Sequence, residues 1–368
     1  MGGYSSHSQS GSYICFRAFD SAILGGNMKR QIVIAALLFS FFTSVTVYEN
    51  CLAADYFDRK SIRVIVGDEV GTGYDPLTRL LAKQLPNHIP GKPNILVENM
   101  PGAQTIISAN YLFHTAKPNG LTIGALNRGI PFAQLMKSKG VRFDVRKFSW
   151  LGSVASETTI LALSSDFPYN NPDGLKGFQE PLNLAVVGTS ASATQFALLL
   201  KEFAGFNLKI TTYPSSEASM LAIERGEADG SVDSYASIKA YIERGLMRPV
   251  VRSRVIDPEI ENVPVNEGLT TSVLGKRLMA MLAAADQISR PYVAPPGTPM
   301  ALMTFLREAF AKMAKDPKVK EEAKNIMVTV DYTSPDEAVK TMSYLLSQPQ
   351  DVVMEFGKYV KFYTDSHN

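Results

Sequence analysis

Val66-Gly67-Asp68-Glu69-Val70-Gly71-Thr72-Gly73-Tyr74-Asp75-Pro76-Leu77-Thr78-Arg79-Leu80-Leu81 is the stretch that decides the fold. Just ahead of it, Ile62, Val64, Ile65 and Val66 form an apolar run rich in β-branched residues, which predicts a buried strand. Gly71 and Gly73 let the backbone turn tightly. Asp75 stands where a helix N-cap belongs and Pro76 where the first helical residue belongs. Leu77, Leu80, Leu81 and Leu85 then follow at helical spacing. A strand, a glycine loop and a helix in that order aim free backbone N–H groups at one point, where the helix dipole adds partial positive charge. That geometry suits an anion, a carboxylate included. A βα turn with no ligand has the same signature. No Gly-Lys-Ser/Thr follows, so this is not a phosphate loop, and the third glycine of a dinucleotide fingerprint is missing.

Working outward, the same unit recurs. Leu184 to Val187 reads as a strand, followed by Gly188-Thr189-Ser190-Ala191-Ser192-Ala193-Thr194 and a helix through Phe196, Leu199, Leu200 and Phe203. Thr189, Ser190 and Ser192 add hydroxyl donors to the backbone N–H groups; an over-hydroxylated N-cap is the plainer reading. Between the two units lie a strand over Asn94 to Glu98, a helix over Thr105 to Ala116, a strand over Leu121 to Ala125 and a loop at Asn127-Arg128-Gly129. After the second unit come a strand at Leu208 to Tyr213, a helix capped by Ser215, a strand at Ala228 to Asp233, a helix to Gly245 and a strand at Met247 to Val251. Thr298 caps and Pro299 starts a later helix. Ser334-Pro335-Asp336-Glu337 is a capping box for the last long one. Alternating βα units predict an α/β protein with a mostly parallel sheet in each of two lobes and a ligand cleft between them, ligands binding beyond the carboxyl ends of the strands. A crossing near Ile160 divides the chain into one lobe of residues 55–160 and 285–368 and another of 161–284.

The chain has 368 residues, 45% hydrophobic and 20% charged. Residues 1–54 read as an N-terminal extension plus a secretory signal peptide. Met28-Lys29-Arg30 is a fresh start, Ile32 to Phe42 a largely apolar run, and Ala53-Ala54 a small-residue exit, with cleavage expected near Ala54. The run is too short for the ~20 residues of a membrane span. Cleavage takes Lys and Arg from 37 to 34 and Asp and Glu from 35 to 33, leaving +1. A near-neutral body gives no electrostatic case for nucleic acid. The two cysteines, Cys15 and Cys51, precede the cut, so thiol catalysis and cysteine-ligated metal are excluded from the exported chain.

The mature chain resembles the extracytoplasmic solute-binding receptors of tripartite tricarboxylate transporters, the Bug family. The carriers are Val66 to Arg79, Val97-Glu98-Asn99-Met100-Pro101-Gly102-Ala103, Ala109-Asn110-Tyr111-Leu112, Lys117-Pro118-Asn119-Gly120, Gly188 to Ser192, Thr212-Tyr213-Pro214 and Ala294-Pro295-Pro296-Gly297-Thr298-Pro299, in order and spacing. The resemblance implies a clamshell-like periplasmic binding fold of type II that grips a small carboxylate between its two lobes. Carried over, Gly71, Thr72, Gly73, Tyr74 and Asp75 supply one side, and Gly188, Thr189, Ser190, Ala191 and Ser192 the other. It also implies membrane permease subunits as partners. The chain departs from the family in places. Asp68-Glu69-Val70-Gly71-Thr72-Gly73 replaces a Pro-Gly-Gly-Gly-type loop, Tyr74 precedes Asp75, Tyr213-Pro214-Ser215-Ser216 replaces Tyr-Lys-Gly-Gly, and Thr194-Gln195-Phe196 replaces the usual small-aromatic and His features. Acids beside an anion site must be screened, turned away, or paired with a cationic part of the ligand. An amino-carboxylate or a protonated ring nitrogen is therefore as compatible as a di- or tricarboxylate.

Further candidates are Asn127, Arg128, Asp233 and Ser234. Arg128 reads first as a solvated loop arginine and second as a carboxylate clamp. Arg79 reads as a helix-to-loop brace, and Asp233 and Ser234 either line the cleft or cap the next helix. His88, His114 and His367 form no zinc pattern, and no Gly-x-Ser-x-Gly elbow is present. The expectation is a periplasmic, non-enzymatic receptor without cofactor or metal that closes on a small organic anion and hands it to a permease. The alternatives are a secreted hydrolase or isomerase on the same scaffold, and a sensor for a membrane signalling partner.

Overall fold

The computed structural model describes residues 55–71, 74–188, 192–326 and 328–360. The expected signal peptide, Thr72, Gly73, Thr189, Ser190, Ala191 and His367 lie outside the described residues.

The strands and helices follow the chain as β1 Ser61–Val66, α1 Asp75–Gln84, β2 Asn94–Asn99, α2 Ile106–His114, β3 Thr122–Ala125, α3 Ile130–Leu135 and β4 Ser149–Ser153. Then come β5 Thr159–Ser164, α4 Pro172–Gly177, β6 Leu182–Val187, α5 Ser192–Phe203, β7 Leu208–Tyr213, α6 Ser216–Glu224, β8 Gly230–Ser234, α7 Tyr235–Glu243 and β9 Met247–Arg252. The last are α8 Val273–Gln287, β10 Pro291–Ala294, α9 Met300–Lys315, α10 Pro317–Lys324, α11 Pro335–Leu346 and α12 Gln350–Tyr359.

Two sheets result, ordered β2-β1-β3-β10-β4 and β7-β6-β8-β5-β9. In the first, β1 pairs in parallel with β2 and β3, while β10 runs antiparallel to β3 and β4. In the second, β6 pairs in parallel with β7 and β8, while β5 runs antiparallel to β8 and β9. Each sheet thus has one reversed strand among strands that share a direction. The cause is connectivity: β5 arrives directly from β4 of the other sheet and β10 returns through α8, so neither is delivered by a βα crossover, which would make it parallel. The passage between sheets lies at residues 154–158, just ahead of the expected Ile160, which itself pairs within β5.

Short-range signals account for the element ends. Ser215 accepts from the Ala218 N–H at 3.2 Å. Ser334 and Glu337 form the reciprocal capping box. Some ends differ from expectation, two of them here. α9 starts at Met300 with no side-chain cap, because the Thr298 hydroxyl donates instead to the Pro295 carbonyl at 2.8 Å. α2 begins at Ile106 because Thr105 sits at φ 75°, outside the helical region. Trp150, in the outer strand β4, is buried and donates from Nε1 to the Val145 carbonyl at 2.9 Å.

The first loop leaves β1 through a close contact. A Cβ on Gly67 would lie 1.9 Å from Thr105 Oγ1 and 2.9 Å from Ser108 Oγ, and both hydroxyls belong to buried residues. Gly67→Ala is therefore expected to cost about 1–3 kcal/mol by overpacking, read as a lower urea midpoint. An unchanged midpoint would mean that Thr105 swings away freely.

Candidate functional site

The first loop is closed by its own acid. Asp75 was expected to cap α1, but it is the first residue of that helix, and Tyr74 holds the cap position without a side-chain bond. The Asp75 carboxylate turns back: Oδ2 accepts from the Gly71 N–H at 2.8 Å and from Arg79 Nε at 2.9 Å, and Oδ1 accepts from Asn99 Nδ2 at 3.0 Å. Burial alone would raise the Asp75 carboxyl, but the bonds from Arg79, the Gly71 amide and Asn99 outweigh it and hold it below the usual carboxylate range. The Gly71 N–H is thereby used inside the loop. Arg79 is the expected brace, reaching Asn99 Oδ1 at 2.9 Å as well. Asn99 also donates to the Asp68 carbonyl at 2.9 Å, and the Tyr74 N–H to Asp68 Oδ2 at 3.1 Å.

Tyr74 carries the loop into the interior. Its side chain is buried, and its hydroxyl accepts the Arg128 backbone N–H at 2.9 Å. The Arg290 guanidinium lies over its ring, 4.5 Å from the centroid, a cation–π contact. Burial raises the Tyr74 phenol even with Arg290 and Arg128 nearby. Arg128 is not the solvated loop arginine that exposure statistics favour. Its side chain is largely buried, pairing with Glu157 through Nη1 and with Asp286 Oδ1 at 3.4 Å through Nε. The β3–α3 loop turns inward here because two carboxylates await it.

Those carboxylates stand on the two interlobe crossings. Glu157 lies in the 154–158 passage and also pairs with Arg290 at 2.8 Å. Burial alone would raise its carboxyl, but the two guanidinium groups bring it down to about 2. Asp286, near the end of α8, accepts from Ser192 Oγ and Thr159 Oγ1, each at 2.9 Å. Burial raises its carboxyl despite Arg128. The crossings also bond through their backbones: Glu157 N–H to the Asp286 carbonyl at 3.0 Å, Ser289 N–H to the Ala155 carbonyl at 3.0 Å and Val154 N–H to the Arg290 carbonyl at 3.2 Å.

On the second lobe, Gly188 takes φ +70°, and its carbonyl accepts from Thr194 Oγ1 at 2.6 Å. Ser192 opens α5 with its hydroxyl on Asp286. The polar path Ser192–Asp286–Arg128–Tyr74 therefore joins the end of one small-residue loop to the end of the other. Asn127 stands beside this path and accepts the Gly129 N–H at 2.8 Å, holding the turn into α3. Asp233 accepts from Ser216 Oγ and from the Ser234 N–H, each at 2.7 Å. Ser234 caps α7, accepting from the Ser237 N–H at 3.3 Å. Both stand on the strand beside β5, Ser234 opposite Thr159 and Asp233 opposite Ile160, and Ser234 lines a cavity of about 360 Å³ with Glu157, Thr158 and Tyr235. Glu157, Asp286 and Arg290 were not singled out from sequence. They carry no motif spacing, and only the crossing of the chain between sheets brings positions 128, 157, 286 and 290 together.

A family model, the tripartite tricarboxylate transporter family receptor, matches residues 77–357. The chain belongs to this family. Membership makes it a transport receptor rather than an enzyme. Similar solved structures agree on the fold. A solute-binding protein of this family from Polaromonas superposes on the receptor with a TM-score of 0.64 at 19% identity, covering 82% of this chain and 98% of its own. An R. palustris protein with adipate gives 0.57 at 17%, covering 82% and 97%. MatC from Rhodopseudomonas palustris with bound malate gives 0.53 at 18%, covering 82% and 99%. Identities this low speak to the fold and not to the ligand. A search of curated protein sequences finds no match. Among the described residues of the receptor, no helix is long and apolar enough to cross a membrane.

Proposed function

We propose that the receptor works in the periplasm, captures a small organic carboxylate by closing its two lobes, and delivers it unchanged to membrane permease subunits of its transporter. The observation that carries this reading is the buried path from Ser192 through Asp286 and Arg128 to Tyr74. It spans the lobes at the carboxyl ends of β1 and β6, where open α/β sheets bind ligands. Malate and adipate in two similar structures favour the carboxylate class. In this reading Gly71, Thr72, Gly73, Tyr74 and Asp75 contribute one side of the grip and Gly188, Thr189, Ser190, Ala191 and Ser192 the other. Asn127, Arg128, Asp233 and Ser234 are the further candidates for ligand contact. The lobes comprise residues 55–160 with 285–368, and 161–284. Residues 1–54 include an export signal cleaved near Ala54. Closure is stabilised because only the closed form lets both loops reach the ligand.

Calorimetric titration with a panel of carboxylates including malate and adipate tests this. The expected result is saturable one-to-one binding of at least one member, recovered chemically unchanged, with a rise in melting temperature worth about 2.7 kcal/mol at a hundredfold excess over Kd. Turnover of a bound compound, or no saturable binding across the panel, would overturn the reading.

A further inference from the structure

We infer that Thr105 is a positioning residue for ligand capture: a strained left-handed turn after β2 presents its hydroxyl to the loops that follow β1 and β3 and fixes their spacing. The inference rests on the receptor reading above. Ala103, Gln104 and Thr105 take φ of 45°, 50° and 75° in succession, after Gly102 at 123°. Glycine occupies that region freely, and a β-branched residue there is an outlier. Such conformations persist only where the surrounding structure over-determines them. Thr105 also gives up the bond that its position offers. It stands at the N-cap of α2, where a threonine hydroxyl ordinarily accepts a backbone N–H of the first turn, and it makes no such bond. Local chemistry thus disfavours this residue twice over.

Its partners are tertiary. Thr105 is buried, as is Ser108. Ser108 Oγ donates to the Thr105 carbonyl at 2.9 Å, so across the 3.1 Å contact between the two hydroxyls Thr105 is the donor. Thr105 Oγ1 in turn accepts the Asn127 N–H at 3.4 Å. The next amide of the same loop, that of Arg128, goes to the Tyr74 hydroxyl at 2.9 Å. Two successive N–H groups of the β3–α3 loop are therefore anchored by two hydroxyls, one from the β2–α2 loop and one from the β1–α1 loop. Thr105 Oγ1 also fills the space that a side chain on Gly67 would need, at the point where the chain leaves β1. Val66, Asn99 and Ala125, the last residues of three parallel strands, lie side by side in register, so the three exits converge on one hydroxyl. Lifting Asn127 moves Arg128 with it, and Arg128 is the link from Tyr74 to Asp286. A capping conformation would turn the Thr105 hydroxyl back onto α2 and away from the Asn127 N–H, so the strain is tied to the loop spacing rather than to the helix.

Thr105→Val keeps the shape and removes the hydroxyl, while Thr105→Ser keeps the hydroxyl and removes the methyl. Hydrogen exchange on the full receptor without ligand reads the loop, with β6 as the reference for global stability. Calorimetry with malate and adipate reads the grip. In Thr105→Val, exchange at residues 126–129 is expected to speed up relative to β6 and affinity to fall, each by about tenfold or more, as for a buried amide left without its acceptor. Thr105→Ser should stay within about threefold of the wild type in both, since serine carries the same donor and acceptor. A merely structural threonine would lower the melting temperature of Thr105→Val and leave relative exchange and Kd unchanged. That result overturns the inference, and so does a Thr105→Ser that behaves like Thr105→Val. If Thr105→Val does not fold, Thr105→Gly makes the same comparison, because glycine takes φ 75° without strain. A wild type that binds neither malate nor adipate counts against the receptor reading, and the exchange comparison then decides the role of Thr105 by itself.

Discussion

Gly188→Val is expected to fold and to lose ligand binding by at least a hundredfold, about 2.7 kcal/mol or more of binding free energy. Gly188 sits at φ +70°, and an added Cβ would meet no heavy atom of the described residues within 4 Å. The obstacle is therefore backbone conformation rather than space. A β-branched residue is a strong outlier in the left-handed region, and holding it there costs about 1–3 kcal/mol. The loop relieves that strain by turning. Turning redirects the N–H groups that follow β6 and breaks the bond from Thr194 Oγ1 to the Gly188 carbonyl. Gly188→Asn is the matching control, since Asn enters the left-handed region more readily, and it should retain most of the affinity. Calorimetry on the two variants reads the difference. Wild-type affinity in Gly188→Val would remove the second loop from the grip. Gly73→Val is likewise expected to lose ligand binding.

Glu157→Ala should be the most destabilising single change at the lobe crossing, about 3–5 kcal/mol. Its carboxylate is the shared partner of Arg128 and Arg290, in a site where all three side chains are largely buried. Among the described residues, removing it leaves Arg290 without an ion-pair partner and Arg128 with Asp286 alone. The cost is larger than the net worth of the ion pairs, because two guanidinium groups are left desolvated with too little countercharge. Urea unfolding measures the loss, and an unchanged midpoint would show that the arginines find water. The same group sets an acid limb. Its folded carboxyl lies at about 2 against an ordinary value of 4.5. A depressed folded value means that the stabilisation is fully present above about pH 4.5 and is lost as pH falls through about 2. Asp286, pushed up by burial, works in the opposite sense, since it takes a proton more readily folded than unfolded. The wild type therefore loses less on acidification than Glu157 alone would dictate. In Glu157→Gln the loss between pH 4.5 and 2 should shrink further.

Much of the fold was legible in the chain itself. The β-branched run before Val66 and the leucine spacing after Pro76 predict β1 and α1, and Leu184 to Phe203 repeats the pattern as β6 and α5. The caps at Ser215 and Ser334 could be read because each bonds to a backbone N–H three residues ahead. Errors fell where a side chain found a better partner than its local one. Asp75 gave up the cap for Gly71, Arg79 and Asn99, and Thr298 gave it up for Pro295.

By itself, then, the sequence determined which segments become strands and helices, where the two small-residue loops fall, and the family. These follow from periodicity, turn chemistry and spacing, which act over a few residues. Tertiary structure alone decided what the charges do. Arg128, read locally as a solvated loop residue, became a buried link, and Glu157, Asp286 and Arg290 became its partners, across separations of up to 158 residues between positions 128 and 286. The physical reason is that an ion pair depends on distance in space and on desolvation. Both were set here by the two crossings between the sheets, which no local pattern in the chain encodes.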